Sequence, residues 1–199
     1  MKKSWVLSLI ISQVLFVSCL PVVKQVFSYL HPIAIAVVWA CLTILVILLV
    51  FLLRKDKIAV SCTFLKVLIF LYTVCLLILL FWRPGNQSYT SWNLVPFSTI
   101  LMYLRGSGNL FVAFYNIAAN IGLFIPFGVY ALIKRGRERL LTLRLIIIPV
   151  LLISLIEVIQ YITHRGSLDI DDLILNFLGV LIGYALYPLI KKVLLIAEF

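Results

Sequence analysis

The sequence predicts an all-α membrane protein, a polytopic bundle of about six transmembrane helices with both termini cytoplasmic. Two observations support this fold class. Apolar residues make up 64% of the 199 residues and charged residues only 12%, and a soluble domain of this length could not bury that much apolar surface. Basic residues also recur in short clusters between the apolar runs, a pattern that orients membrane helices.

The apolar runs are the candidate transmembrane helices, each of which needs about 20 mostly apolar residues. The runs cover approximately residues 5–27, 33–53, 58–82, 111–133, 145–162 and 173–190. The first run is the weakest, because Pro21 and Lys24 interrupt it. It also admits a second interpretation as a cleaved signal peptide, since two lysines precede an apolar stretch that ends in small residues before Cys19.

The distribution of Lys and Arg predicts the orientation. With six spans and a cytoplasmic N-terminus, twelve of these residues fall inside and four outside, as the positive-inside rule requires. The net charge of +10 would suggest nucleic acid for a soluble protein, but here its clustering favours lipid headgroups as the partner. We expect a three-span segment, 1–82, followed by a membrane domain, 83–192, that opens with an outer loop, 83–110.

That outer loop contains a second apolar stretch, from Leu94 to Leu104. It is apolar enough to lie among the outer headgroups as a short interfacial or re-entrant helix. An ordinary loop that dips Trp92 and Phe97 into the interface explains the composition equally well.

Glu157 is the most informative polar residue within a span. A central acidic side chain costs on the order of 2.5–3.5 kcal/mol in a membrane helix, so it should face the protein interior or a wet cavity. Gln160 follows on the same helix face. The two readings are a functional group and a buried glutamate that locks helices together.

The fourth and sixth spans carry further features. Asn116 and Asn120 share one face of the fourth span, and Pro126 should kink it and free a backbone carbonyl. Both asparagines could simply bond neighbouring helices. In the sixth span, the spacing of Gly179 and Gly183 allows close approach of another helix.

The turn between the fifth and sixth spans is dense in charge. Asp171 or Asp172 could cap the sixth helix, and Arg165 could pair with Asp169. Three nearby carboxylates could also bind a divalent cation, but their spacing matches no calcium loop, so no metal site is predicted. Asn176 lies one turn into the span, at a depth similar to that of Glu157. If spans four to six pack together, these side chains would enclose a polar pocket that opens outward.

In this order and spacing, the residues resemble the VanZ-like family of bacterial membrane proteins. The matching pieces are Asn93–Phe97, Asn120–Phe124, Pro126–Gly128, Glu157, Gln160, Arg165, Asp169, Asp171, Asp172, Asn176, Gly179 and Gly183. The resemblance covers about residues 93–183, and Leu168 stands where an aromatic residue is common in the family.

The resemblance implies a protein of the bacterial cytoplasmic membrane that acts at the cell envelope. The family takes its name from a protein associated with low-level resistance to teicoplanin-type glycopeptides. The resemblance assigns no catalytic residue and no cofactor. It does identify a characteristic polar set, which we take as the candidate ligand-binding or structural residues: Asn120, Glu157, Gln160, Arg165, Asp169, Asp171, Asp172 and Asn176.

Three functions follow as hypotheses. The first is a non-enzymatic envelope protein whose outer pocket binds a lipid-linked or lipoglycopeptide-type amphiphile. The second is a transporter or flippase with Glu157 as the proton-coupling group. The third, an enzyme with Glu157 as general base, is disfavoured because no serine or cysteine nucleophile has a plausible base beside it. The sequence does not indicate an oligomeric state.

Overall fold

The computed structural model describes residues 2–26, 32–81, 91–105, 110–138 and 142–197. The chain divides into two compact units. One comprises Met1–Cys62 together with Pro188–Phe199, and the other comprises Thr63–Tyr187. The predicted outer loop is described over 91–105, and its remaining residues before the next helix lie outside the described part of the chain.

The described residues are mainly helical, as the fold class predicts. The helices are α1 (Lys2–Val26), α2 (Pro32–Arg54), α3 (Cys62–Phe81), α4 (Ser98–Leu104), α5 (Leu110–Glu138), α6 (Thr142–Ile162) and α7 (Ile170–Val193). All of these except α2 and α4 contain a stretch long and apolar enough to cross a membrane, five such stretches in the described residues. In α2, the apolar stretch found among the described residues is shorter and covers Trp39–Arg54. The membrane helix bundle is therefore confirmed.

The first unit is built on an α1–α2 hairpin. The indole of Trp39 donates to the side-chain oxygen of Gln13 at 2.9 Å, and the rings of Trp5 and Phe51 meet edge to face with centroids 5.1 Å apart. Between these two contacts the residue number rises in one helix and falls in the other, so α1 and α2 are antiparallel. Ser4, Ser8 and Ser12 are fully buried in α1 at a spacing of one helical turn. Small side chains on one face allow close helix packing.

Two short strands, β1 (Ile58–Ser61) and β4 (Leu194–Ala197), pair in parallel within the same unit. The hydroxyl of Ser4 donates to the carboxylate of Asp56 near β1. This hydrogen bond is the main reason that the pKa of Asp56 lies below its ordinary value. The start of α1, the α2–α3 connection and the C-terminal strand thus lie at one end of this unit.

The strands correct one prediction. The sequence placed the start of the third span at residue 58, but 58–61 form β1 and α3 begins at Cys62. These residues are apolar enough to extend a predicted helix, and only their pairing with distant residues 194–197 makes them a strand.

The core of the second unit joins four helices. Its buried residues are Leu76 of α3, Phe124 of α5, Ile153 of α6 and Val180 of α7. Leu76 thus brings α3 into a core shared with the C-terminal helices. The predicted division into 1–82 and 83–192 stays a prediction.

Pro126 lies inside the continuous helix α5. Proline has no N–H for the carbonyl of the residue four positions earlier, here Gly122. At the next carbonyl, that of Leu123, the hydroxyl of Tyr72 on α3 donates a hydrogen bond of 2.8 Å. The α5 backbone beside the proline thus gains a donor from another helix, at the carbonyl next to the one that the proline frees. The predicted kink stays a prediction.

Glycines allow the backbones of α5 and α7 to approach each other closely. A Cβ at Gly183 would lie 2.9 Å from the Cα of Gly128 and 3.0 Å from the nitrogen of Val129. A Cβ at Gly179 would collide with the carbonyl of Ile121, and one at Gly128 with the carbonyl of Val180. The contacts advance in the same direction along both helices, so α5 and α7 run parallel. The backbones touch, as the small-residue spacing predicted.

Candidate functional site in the second unit

The turn after α6 is shaped by its own backbone. His164 adopts the left-handed conformation with φ 55°, which ends the helix as a glycine commonly does. The backbone N–H of Arg165 then donates to the carbonyl of Gln160 at 2.9 Å. The chain continues into β3 (Leu168–Asp169), which pairs in parallel with β2 (Trp92–Asn93). This pairing brings Trp92 and Asn93 of the predicted outer loop to the start of α7.

Asp171 caps the short helix α4 from another helix. Its carboxylate accepts three backbone N–H groups, from Phe97 at 2.5 Å, Thr99 at 2.8 Å and Ile100 at 3.1 Å. Phe97 occupies the N-cap position with φ 65° and offers no side-chain cap. A left-handed non-glycine residue costs on the order of 1–2 kcal/mol, and Asp171, which is fully buried, holds the strained residue in place.

Asp169 is the second acceptor of this turn. Its carboxylate accepts the hydroxyl of Thr99 at 2.6 Å, the amide of Asn93 at 3.2 Å and the backbone N–H of Asp171 at 2.9 Å. The last bond caps α7. The predicted cap of the sixth span is therefore corrected, because it is supplied by Asp169 rather than by Asp171 or Asp172. We call Asn93, Thr99, Asp169 and Asp171 the loop cluster.

The remaining residues of the acidic turn have separate partners. Asn120 donates its amide to Asp172 at 2.6 Å, which ties α5 to α7. Arg165 is exposed, and within the described ranges no ion pair joins it to Asp169. In the part of the chain that the structure describes, no group of three His, Cys, Asp or Glu side chains is placed to hold a metal ion.

Glu157 and Asn176 form a buried pair between α6 and α7. Each is about one-twentieth exposed, at 5%, and the amide of Asn176 donates to the carboxylate oxygen Oε1 of Glu157 at 3.4 Å. The amide oxygen Oδ1 of Asn176 is buried and has no hydrogen-bond partner among the described residues. Buried polar atoms in proteins are almost always bonded, so this oxygen marks a place where a donor is missing.

Two further amides hold helices together. Gln160 is buried and donates to the carbonyl of Leu80 at the end of α3, at 3.3 Å. Asn116 donates to the hydroxyl of Tyr103 in α4 at 3.2 Å, in line with the interhelical role that its sequence position allowed.

The predicted polar set thus divides into two groups along α7. Asp169, Asp171 and Asp172 bond the outer loop and α5, while Asn176 bonds Glu157 about one turn, roughly 6 Å, further along the helix axis. Gln160 bonds α3, and Arg165 is exposed.

Sequence reasoning missed Ser98 and Thr99 as partners of this set. The amide of Asn93 donates to both hydroxyls, at 2.5 and 3.1 Å. A Ser-Thr pair at the start of a short apolar segment is a common helix-start signal, and it could have indicated where α4 begins. Nothing local indicated that its acceptors would come from α7.

Comparison with known proteins agrees with this geometry. A sequence model of the VanZ/LLP1 family matches residues 67–191, which include most of α3, the loop cluster and the buried pair. No curated protein and no solved structure matches the chain. Because the match covers more than half of the 199 residues, the chain is a multi-pass membrane protein that belongs to the VanZ-like family.

Proposed function

We propose that this protein acts at the cell envelope of a bacterium by binding a lipid-linked or lipoglycopeptide-type amphiphile, and that it thereby contributes to resistance against teicoplanin-type glycopeptides. In this proposal, the Glu157–Asn176 pair receives a polar group of the amphiphile on the outer side of the cytoplasmic membrane. Gln160 holds α6 beside the pair, and the exposed Arg165 meets an anionic group at the surface.

One observation carries the proposal, the unbonded Oδ1 of Asn176 beside the buried carboxyl of Glu157. An intramembrane acid is costly and is by default a functional group. An unsatisfied buried oxygen costs about 1–3 kcal/mol, and a bound molecule that donates a hydrogen bond would recover this energy. The loop cluster supports the same reading, because it fixes the start of α7 and hence the position of Asn176.

Susceptibility measurements test the proposal. A strain that lacks the gene would be complemented with the parent protein, Glu157→Ala, Asn176→Leu or the control Gly122→Ala, at matched membrane levels. Gly122 is exposed and a Cβ there would meet nothing within 4 Å. We expect the parent and Gly122→Ala to lower susceptibility to an acylated glycopeptide but not to one without an acyl chain. Both site variants should lose this effect. Equal susceptibility of all strains to both compounds would remove the basis of the proposal.

Transport of a lipid or envelope precursor is the second candidate. It is favoured by the position of Glu157, a buried carboxyl within an apolar helix whose amide partner stands on the next helix. Such a group can bind and release a proton during a transport cycle. Purified protein in liposomes would show gradient-driven movement of a labelled lipid, and Glu157→Gln would abolish its dependence on the pH gradient. Movement that is equal with and without a gradient would contradict proton coupling.

A further inference from the structure

We infer that residues 92–102 form an interfacial anchor, a segment that lies in the headgroup region of the bilayer and inserts its apolar side chains among the lipids. The partner of this surface is the lipid itself. The inference does not depend on the ligand proposed above. Three observations support it, namely the arrangement of the side chains, the bonding of the backbone and the position of the segment beside α7.

The side chains of the interfacial anchor are arranged in the reverse of the order expected for a loop in water. Its polar side chains are partly buried and bonded within the protein, where the amide of Asn93 bonds Ser98, Thr99 and Asp169. Its large apolar side chains are between 44% and 68% exposed, and they are Trp92, Leu94, Val95, Phe97, Leu101 and Met102. An exposed apolar surface of this kind marks a contact with a membrane or with another protein.

The backbone of the interfacial anchor is bonded as immersion in lipid requires. From Val95 to Leu101, every backbone N–H has an acceptor within the protein, and Pro96 has no N–H to satisfy. Asp171 accepts three of these donors, the side chain of Asn93 accepts one, and backbone carbonyls of the same segment accept two. Water can satisfy such groups at the start of an exposed helix, whereas the interior of a bilayer offers no hydrogen-bond partner.

The position of the interfacial anchor identifies lipid as the partner. Asp171 lies in the first turn of α7, whose stretch able to cross a membrane covers Ile170–Val193. The backbone nitrogens that Asp171 binds lie 2.5–3.1 Å from its carboxylate, so α4 begins beside the start of that span. Trp92 pairs with Leu168 directly before the span, and tryptophan is enriched where a membrane helix meets the headgroups. The exposed apolar surface therefore continues the lipid-facing surface of the spans.

The two ends of the interfacial anchor have the polarity that this position requires. Ser91 precedes the anchor and Arg105 follows α4, and both are exposed. An arginine at the end of an apolar segment can extend its charged group to the lipid phosphates while its aliphatic part stays among apolar groups. The apolar residues are thus immersed between two polar ends.

Spin-label accessibility in the full-length protein in nanodiscs tests the inference. All four cysteines would be replaced by alanine, and a single label would be attached to Val95→Cys, Met102→Cys, Ser91→Cys or Leu151→Cys. Leu151 is 63% exposed within the apolar stretch of α6 and is the lipid-facing control, whereas Ser91 is the control for the exposed polar end. Collisions of the label with oxygen report lipid, and collisions with a water-soluble nickel chelate report water.

We expect the labels at Val95→Cys and Met102→Cys to have high oxygen and low nickel accessibility, as at Leu151→Cys, with a loss of most of the nickel collisions seen at Ser91→Cys. Nickel accessibility at Val95→Cys equal to that at Ser91→Cys would overturn the inference. Low accessibility to both reagents would overturn it as well, because protein, either a second copy or another part of this chain, would then cover the surface.

The capping residue provides a second test in the same assay. Asp171→Asn removes one of the two oxygens that accept the backbone N–H groups of the interfacial anchor, and a freed donor favours water over lipid. The label at Val95→Cys should then regain nickel collisions, while the label at Leu151→Cys in the same background should not, which separates release of the anchor from unfolding. Tyr72→Phe removes a hydrogen bond between α3 and α5 and should leave the label at Val95→Cys shielded. If Asp171→Asn also leaves it shielded, the bonded backbone does not hold the segment in lipid and the inference fails on that point.

Discussion

The close contact of α5 and α7 can be tested with alanine at its glycines. At Gly183, a new Cβ would collide with the carbonyl oxygen of Ile125 and lie 2.9–3.0 Å from backbone atoms of Gly128 and Val129. These backbone atoms are not free to rotate away as a side chain would. The helices would have to separate by about 1 Å to restore ordinary contact distances of roughly 3.5 Å. Forced overpacking costs about 1–3 kcal/mol, and collisions with backbone atoms place the cost in the upper part of that range, at about 2–3 kcal/mol.

A second glycine on α5 supplies the matched control. Gly122 is exposed, and a Cβ there would meet nothing within 4 Å. Alanine is favoured over glycine inside a helix by about 0.8–1.0 kcal/mol. Gly122→Ala should therefore stabilise the protein slightly. Gly128→Ala and Gly183→Ala should destabilise it by about 1–2 kcal/mol net of the same helix preference.

Thermal unfolding in detergent measures the difference. A gap of about 2–3 kcal/mol corresponds to roughly 5–10 °C in melting temperature for a chain of this size. The same separation of helices would move Asn176 relative to Glu157, so ligand binding should weaken in Gly183→Ala and not in Gly122→Ala. If Gly128→Ala and Gly183→Ala melt at or above the parent temperature, the backbone contact inferred between α5 and α7 is wrong.

Three further predictions concern side chains that form the hydrogen bonds described above. Asp171→Asn replaces one of the two acceptor oxygens with an NH2 group, so one oxygen remains for three backbone donors. The free energy of unfolding should fall by about 2–4 kcal/mol, and proteolysis within 91–105 should become faster. Unchanged cleavage would contradict the capping role. Tyr72→Phe removes the bond to the carbonyl of Leu123 and should lower stability by about 1 kcal/mol in the same melting assay, and a melting temperature equal to that of the parent would show that the bond contributes nothing. Ser4→Ala should raise the pKa of Asp56 toward its ordinary value of 3.8. Because the carboxyl of Asp56 has a lowered pKa in the fold, its contribution is present above that ordinary value and is lost as the pH falls through the folded-state pKa, so the stability difference between Ser4→Ala and the parent should vanish in acid.

The fold class was predictable because it depends on local composition. A helix that spans a membrane satisfies its backbone hydrogen bonds within its own segment, so an apolar run of sufficient length predicts a helix without knowledge of its neighbours. The runs at 111–133, 145–162 and 173–190 all lie within helices of the structure. The prediction of helix was wrong for residues 58–61. A strand satisfies its backbone hydrogen bonds only through a partner strand, and here the partner is residues 194–197.

The polar set shows the same division between local and distant information. The sequence alone marked Glu157, Asn176, Asp169, Asp171 and Asp172 as exceptional, because charged and amide groups are costly in or beside a membrane wherever they occur. It also predicted close helix packing from the spacing of glycines.

Only the tertiary structure decided what each group bonds. Asp171 stands where it could cap its own helix, yet its carboxylate holds the backbone of Phe97, Thr99 and Ile100, which are more than seventy positions away in the chain. The unpaired oxygen of Asn176 is likewise a property of the packed helices. Sequence reports the cost of burying a polar group, whereas the partner that offsets this cost is set by which helices pack together.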